Sequence, residues 1–166
     1  MASKSNGDPV DPVAPGDSLD LSDFFADLVR CETRLYNALN DRLRERHGIV
    51  TSQFEFLRHL RDHPGARVAD LAAEFAIGIG ATSKGVDRLE RQGWLARVPN
   101  PSDRRSSLLE LTAEGLQLAD AAGATFAERL TELVAGGLKA SPVAAAQVLA
   151  ELRASLERDR IGAPTG

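Results

Sequence analysis

The stretch Ile79–Thr112, IGATSKGVDRLERQGWLARVPNPSDRRSSLLELT, decides the fold. Its first part places Val86 and Leu89 three apart among polar residues, the spacing of a short amphipathic helix, and Gly93 stops it. Trp94, Leu95 and Val98 then begin a strand. Asn100-Pro101-Ser102-Asp103-Arg104-Arg105 is turn chemistry, and a second strand runs to Leu111. A helix followed by a hairpin with arginines at its tip is the pattern of a winged helix. Such a helix fits a DNA major groove, and the hairpin can reach across the phosphates to the neighbouring minor groove.

Upstream, Asp20 or Ser22 can cap a helix in which Phe25, Leu28, Leu35, Leu39 and Leu43 keep helical spacing to about Arg46, with Gly48 as the stop. Ser52 and Glu55 have capping-box spacing, with Thr51 as the other cap on offer, ahead of Phe54, Leu57 and Leu60. His63-Pro64-Gly65 ends that second helix, and Val68–Phe75 gives a short third one before the Gly78 turn. Downstream, Thr112 caps a fifth helix carrying Leu116, Ala119, Phe126, Leu130 and Leu133, which Gly136-Gly137 ends. Ser141-Pro142 opens the last helix, with Val148, Leu149, Leu152 and Leu156. The expected fold class is mainly α: a winged helix-turn-helix with a small β-hairpin wing and a helical dimerisation region made by both ends of the chain. The boundaries expected are a disordered acidic tail over 1–18, dimerisation helices over 19–48 and 113–160, and a DNA-binding unit over 49–112.

Dimerisation follows from an imbalance. The first and last helices each show a broad apolar face, and the central unit is too small to cover both. Packing against the same helices of a second chain is the simplest solution. Two-fold symmetry would set two reading helices about 34 Å apart, one turn of DNA.

Composition agrees with this class. Of 166 residues 43% are hydrophobic, 27% charged and 5% aromatic, so the core must be built from Leu, Ala and Val, which favours helices. The net charge of −4 argues against a strong non-specific nucleic-acid binder. The charge is uneven, however. Between Ala76 and Ser107, Lys84, Arg88, Arg91, Arg97, Arg104 and Arg105 outnumber Asp87, Glu90 and Asp103, while aspartates crowd the first 27 residues. A locally basic element on an acidic body suits sequence-specific binding over a low background. The single cysteine, Cys31, excludes a disulfide framework within the chain. No apolar run approaches the roughly 18 residues of a membrane span, and the polar amino terminus is unlike a signal peptide, so a cytoplasmic location is expected.

The run Val86-Asp87-Arg88-Leu89-Glu90 before Gly93-Trp94-Leu95 resembles the multiple-antibiotic-resistance regulator (MarR) family. So does Arg97–Arg105, RVPNPSDRR, with Asp103, Arg105, Leu111, Thr112 and Gly115 matching a pattern of Asp-x-Arg followed by Leu-Thr-x-x-Gly. The helix order fits from about Asp20 to Arg158. The resemblance implies a homodimeric transcriptional regulator, usually a repressor, that binds a palindromic operator and is released by a small aromatic or phenolic effector or by an oxidant.

On that resemblance Gly80, Ala81, Ser83 and Lys84 face bases and phosphates, with Thr82 turned inward. Arg104 suits a narrow minor groove, whose negative potential is enhanced. The resemblance ties Arg105 to Asp87 or Asp103 in an ion pair holding the wing to the helix; contact with DNA is the other use open to it. Arg88 and Arg97 are phosphate contacts or solvated charges. Phe25, Tyr36, Phe54 and Phe56 could line an effector cavity, or serve as ordinary core. Trp94 reads as core. Cys31 reads as a small packed residue rather than a redox sensor, since Tyr36 is the lone tyrosine. His59 and His63 have metal-ligand spacing, but further ligands are scarce and no metal or cofactor is expected. No phosphate-binding glycine loop, nucleophile elbow or histidine–serine pair is present, so the chain does not read as an enzyme. Two other readings stay open: a winged-helix protein-interaction module without DNA binding, and a DNA-binding activator or anti-silencer.

Overall fold

The computed structural model describes residues 20–137 and 141–163. The tail expected over 1–18 lies outside the described residues. Contacts divide the chain into two units, one up to Arg34 and one from Leu35 onward. Helix α1, Leu21–His47, runs through that boundary.

In the first unit Asp20 starts α1, its carboxylate accepting from the Ser22 backbone N–H at 2.8 Å. Leu21, Phe24, Phe25 and Val29 are exposed there. Cys31, expected to be packed, is exposed as well.

In the second unit the order is α2 Thr51–Asp62, α3 Val68–Glu74, α4 Ile79–Arg91, β1 Leu95–Pro99, β2 Ser107–Leu111, α5 Ala113–Gly137 and α6 Pro142–Arg158. The cap of α2 is Val50, one residue before the two expected. The Gln53 carboxamide accepts from Val50 N at 3.0 Å, and the Asn40 side chain on α1 accepts from Thr51 N at 3.2 Å. Two orphan donors of the first turn are thus satisfied from elsewhere, and no Ser or Thr is needed at the cap. Helix α3 is held at its start by a reciprocal pair: Asp70 accepts from the Arg67 backbone N–H at 2.8 Å and from its guanidinium at 2.8 Å. Those bonds, the guanidinium's first, hold the Asp70 carboxyl below its ordinary range.

The core gathers Leu43, Ile49, Phe54, Leu57, Leu60, Leu71, Val86, Leu89, Leu95 and Leu109 with Ala119 and Ala122. Apart from Ile49, which stands in the α1–α2 connection, each comes from the inward stripe of its element, and burying one large apolar side chain of this kind contributes about 2 kcal/mol. The strands pair antiparallel from Leu95 with Leu111 to Pro99 with Ser107. The base of this hairpin has one further connection. Leu109 donates its N–H to Ala66 O at 2.8 Å and accepts from Gly65 N at 3.2 Å, which ties the wing to the α2–α3 connection.

The close of the wing is built from the Leu-Thr-x-x-Gly motif. Thr112 caps α5, its hydroxyl accepting from Gly115 N at 3.1 Å and donating to Gly93 O at 2.7 Å. Gly93 has φ +78°, a left-handed conformation that glycine alone adopts freely, so helix α4 turns sharply into β1. Helix α6 carries no buried residue, and Val143, Val148, Leu149, Leu152 and Leu156 are exposed on it. Among the described residues no single helix is long and apolar enough to cross a membrane.

Candidate nucleic-acid interface

Helix α4 has two faces. Thr82, Val86 and Leu89 are buried, and the Thr82 hydroxyl donates back to Gly78 O at 3.1 Å. Gly80, Ala81, Lys84 and Arg88 are exposed, one to four residues apart, and so form a stripe along the outward side. Ser83 is half-buried beside the wing. Gly85 is explained by packing: a Cβ there would stand 2.7 Å from Cε2 of Phe56. The glycine lets α4 lie close on α2.

The wing tip is a set of side-chain turns. Asn100 accepts from Ser102 N at 2.9 Å and donates its amide to the Ser106 hydroxyl at 2.9 Å. Asp103 accepts from Arg105 N at 2.9 Å. That backbone N–H, with the Ser106 hydroxyl, holds the Asp103 carboxyl below its usual range. Asn and Asp make such local turns readily. Their effect here is to fix a tight loop from which Arg104 and Arg105 project, both exposed.

The ion pair between wing and helix involves different residues from those expected. Arg97 on β1 donates to Asp87 Oδ1 at 2.7 Å and also to Glu90 Oε2. Burial opposes the charge on Arg97, but the Asp87 bond and the attraction of Glu90 outweigh it and raise the pKa above the ordinary arginine value. Asp87 is therefore paired with Arg97 rather than Arg105. Asp103 holds Arg105 by its backbone, which leaves that guanidinium outward. Arg97, in turn, is engaged internally rather than presented to phosphates. The physical reason is position: β1 leaves α4 through the Gly93 turn and runs back beside its last two turns, whereas Arg105 sits at the far end of the hairpin.

Between the start of α3, α4 and the wing lies an open cleft of about 380 Å³, lined by Arg67, Val68, Ala69, Ile79, Ser83, Arg97, Arg105, Ser106 and Ser107. Of its three guanidiniums, Arg67 is already paired with Asp70 and Arg97 with Asp87 and Glu90, which leaves Arg105 as the one without a carboxylate partner among the described residues. Of the aromatic residues expected to line a cavity, Phe54 and Phe56 face different neighbours. Phe54 is buried against Phe126 of α5, ring centroids 4.8 Å apart, while Phe56 is buried against Phe75, 5.3 Å away, on the side of α3 and α4. Two residues apart on a helix means about 200° around it, so the rings point to different neighbours. Phe25 belongs to the other unit, and Tyr36 is half-buried.

His59 and His63 stack at 4.2 Å, and His63 Nδ1 donates to His59 O at 3.0 Å. Among the described residues no group of three His, Cys, Asp or Glu could hold a metal ion. Three parts of the site escaped the sequence reading: Arg67, Glu90 and the exposed Ile79. Arg67 had a signal, since Asp70 stands three residues on at a helix start. Glu90 had one too, three residues after Asp87 on the same helix face.

Comparison with known proteins places this geometry in context. A family model described as the MarR family matches residues 49–107. The chain is 28% identical to the multiple antibiotic resistance protein MarR of Salmonella typhimurium over 134 residues, covering 77% of this chain and 93% of that protein. It is 35% identical to the HTH-type transcriptional repressor NicR of Pseudomonas putida over 112 residues, 67% of this chain and 68% of that one. Among solved structures, Sco3205, a MarR family regulator from Streptomyces coelicolor in complex with DNA, superposes with a TM-score of 0.73 at 23% identity, covering 92% of both chains. A mutant of MarR from E. coli complexed with operator DNA gives 0.69 at 25% identity, over 82% of this chain and 97% of that one.

Proposed function

Because this chain belongs to the MarR family of non-enzymatic, DNA-binding transcriptional regulators, we propose that it is a cytoplasmic repressor which binds a palindromic operator as a homodimer and is released by a small effector. The observation that carries this reading is the exposed stripe Gly80, Ala81, Lys84 and Arg88 beside a wing tip bearing exposed Arg104 and Arg105. A helix of this width enters the major groove, where base edges carry the full donor and acceptor code, and the wing arginines reach the minor groove. The name of NicR as a repressor, and the DNA complexes of two structural neighbours, support the same direction.

Homodimerisation is supported by apolar surface that each unit leaves open: Leu21, Phe24, Phe25 and Val29 in the first, and Val143, Val148, Leu149, Leu152 and Leu156 in the second. Apolar stretches of that kind on a water-exposed helix mark an interface. The effector is assigned in this reading to the cleft between α3, α4 and the wing, where Arg105, with no carboxylate partner among the described residues, suits the carboxylate or phenolate of a small aromatic molecule. A ligand seated there would bind best when the wing and reading helix are in a geometry unsuited to DNA. By linkage, DNA then weakens the ligand as much as the ligand weakens DNA.

Fluorescence anisotropy with duplex DNA from upstream of the gene tests the reading. Saturable, sequence-dependent binding with a stoichiometry of two chains per site is expected. Absence of such binding at low salt overturns it, and favours a scaffold that docks proteins instead.

A further inference from the structure

Lysine is scarce in this chain. Of twenty lysines and arginines, three are lysines: Lys4, Lys84 and Lys139. Lys84 alone lies among the described residues, exposed on the outward stripe of α4. Its helix neighbours decide what its ammonium can pair with. Gly80 and Ala81, four and three residues before it, have no group to offer. Asp87, three residues after it, already accepts from Arg97 at 2.7 Å. Arg88, four after it, is a like charge. Nor is the amine shielded, since Gly80 lacks a side chain one turn away and even a Cβ there would meet nothing within 4 Å.

For binding DNA alone an arginine would serve better. A guanidinium bonds a phosphate or guanine with two parallel N–H groups, whereas an ammonium is a point charge. Around Lys84 the chain does use arginine, at Arg67, Arg88, Arg97, Arg104 and Arg105. What an amine has and a guanidinium lacks is nucleophilicity once its proton is lost, and acylation then removes its charge for as long as the amide lasts. Arg88 adds a second feature. It is exposed, has no carboxylate partner among the described residues, and stands one turn from Lys84 on the same stripe. Such a guanidinium can hold a small phosphate group beside the amine.

We propose that Lys84 is an acylation site whose donor is an acyl phosphate, held through its phosphate by Arg88, and that the acylated protein grips DNA less tightly. The amine gives up a proton to solvent and attacks the carbonyl carbon. The N–C bond forms, the C–O bond to the phosphate breaks, and inorganic phosphate leaves with the electron pair. A second proton passes from nitrogen to solvent, and no oxidant or reductant enters. The product is a neutral amide in the middle of a cationic stripe. The modification itself needs only the open amine and Arg88; its effect on DNA rests on the DNA-binding reading above.

The test treats the full chain with acetyl phosphate and follows each lysine by peptide mass spectrometry. Lys84 should be labelled several times faster than Lys4 and Lys139. Arg88→Ala should slow labelling of Lys84 and leave the other two unchanged. A duplex selected from a random library should protect Lys84 when bound. Acetylated protein should bind that duplex about tenfold more weakly for each modified subunit, the loss of one charge-assisted contact. Its salt slope should flatten by about one unit. Lys84→Arg, whatever its own affinity, should lose none of it on the same treatment, which excludes an effect through Lys4 or Lys139. Labelling of Lys84 no faster than the other lysines, or at the wild-type rate in Arg88→Ala, overturns the site. Full acetylation of Lys84 with unchanged affinity overturns its effect on DNA. Failure of the untreated protein to select any duplex removes the DNA-binding reading and that effect with it, while the labelling rates still decide the site.

Discussion

A Cβ built on Gly115 would stand 1.9 Å from the carbonyl oxygen of Trp94, so the first turn of α5 meets the backbone before β1 with no side chain between. The same carbonyl accepts from Thr112 N at 3.1 Å. The wing is therefore closed by backbone contact at its base. A clash with a main-chain oxygen cannot be relieved by a rotamer change. Gly115→Ala should destabilise the protein by about 3 kcal/mol or more, at the upper end of overpacking costs. Thr112→Val, which removes the cap but adds no clash, should cost about 1 kcal/mol. Urea unfolding of both variants checks the order; equal losses would show that the close approach is not what constrains Gly115.

Arg97 and the outward cations should behave differently towards salt. Arg97→Met removes the tie between β1 and Asp87 and Glu90, and leaves two like charges three residues apart on α4. With all three groups partly solvated, the stability cost is about 1 kcal/mol. DNA affinity should fall because the wing is less well held, with little change in its salt dependence. Arg104→Ala and Lys84→Ala should leave stability unchanged and flatten the salt slope by about one unit per lost phosphate contact. Anisotropy titrations at several salt concentrations separate the two classes. A slope change in Arg97→Met equal to that in Arg104→Ala would return Arg97 to the phosphates.

Gly85 and Phe56 should be energetically coupled. Gly85→Ala gains about 1 kcal/mol of helix propensity, yet sets a Cβ 2.7 Å from a buried ring edge. The net effect should be a loss of about 1 kcal/mol, since the ring lies between α2, α3 and α4 and has little room to move. Phe56→Leu should remove that penalty and make Gly85→Ala stabilising. A double-mutant cycle in chemical denaturation gives the coupling, and an interaction energy near zero would refute the packing account of this glycine.

These residues also mark where sequence reading succeeds and where it stops. Helix order was legible because Leu57, Leu60, Val86 and Leu89 recur at helical spacing, and the hairpin was legible because Asn100 to Arg105 is turn chemistry between apolar runs. Local signals of that kind survive into three dimensions. The partners of Asp87 did not, because which arginine reaches it depends on how the Gly93 turn lays β1 alongside α4. The role of Gly115 was likewise hidden: its motif was visible, but the reason for it is a contact with Trp94 twenty-one residues earlier. The expected grouping of Phe54 with Phe56 failed on a point the sequence did contain, since neighbours at i and i+2 on a helix do not share a face. The apolar surfaces of α1 and α6 were legible as apolar stripes, and Cys31, read as packed, is exposed on α1.

The His59 and His63 rings predict a pH dependence within the helix-turn-helix. His59 stands on α2, its ring 4.2 Å from His63 and edge-on to Phe75 at 5.8 Å. Burial first, and then repulsion from His63, lower its pKa from the ordinary 6.5, although Glu74, Asp62 and Asp70 pull the other way. A histidine whose folded pKa lies below the unfolded one binds fewer protons when folded. Stability is then fully present above about pH 6.5 and is lost as pH falls from there towards the folded value. Below that value both states are protonated and this contribution stops changing. Unfolding free energies at pH 7.5, 6.5 and 5.5 should therefore decline in the wild type, and His59→Gln should decline less over the same interval. Since α2 carries α3 and α4 through the shared core, the loss should appear as lower Tm before any change in DNA affinity at neutral pH. Parallel pH profiles for the two proteins would mean that His59 is not the titrating group.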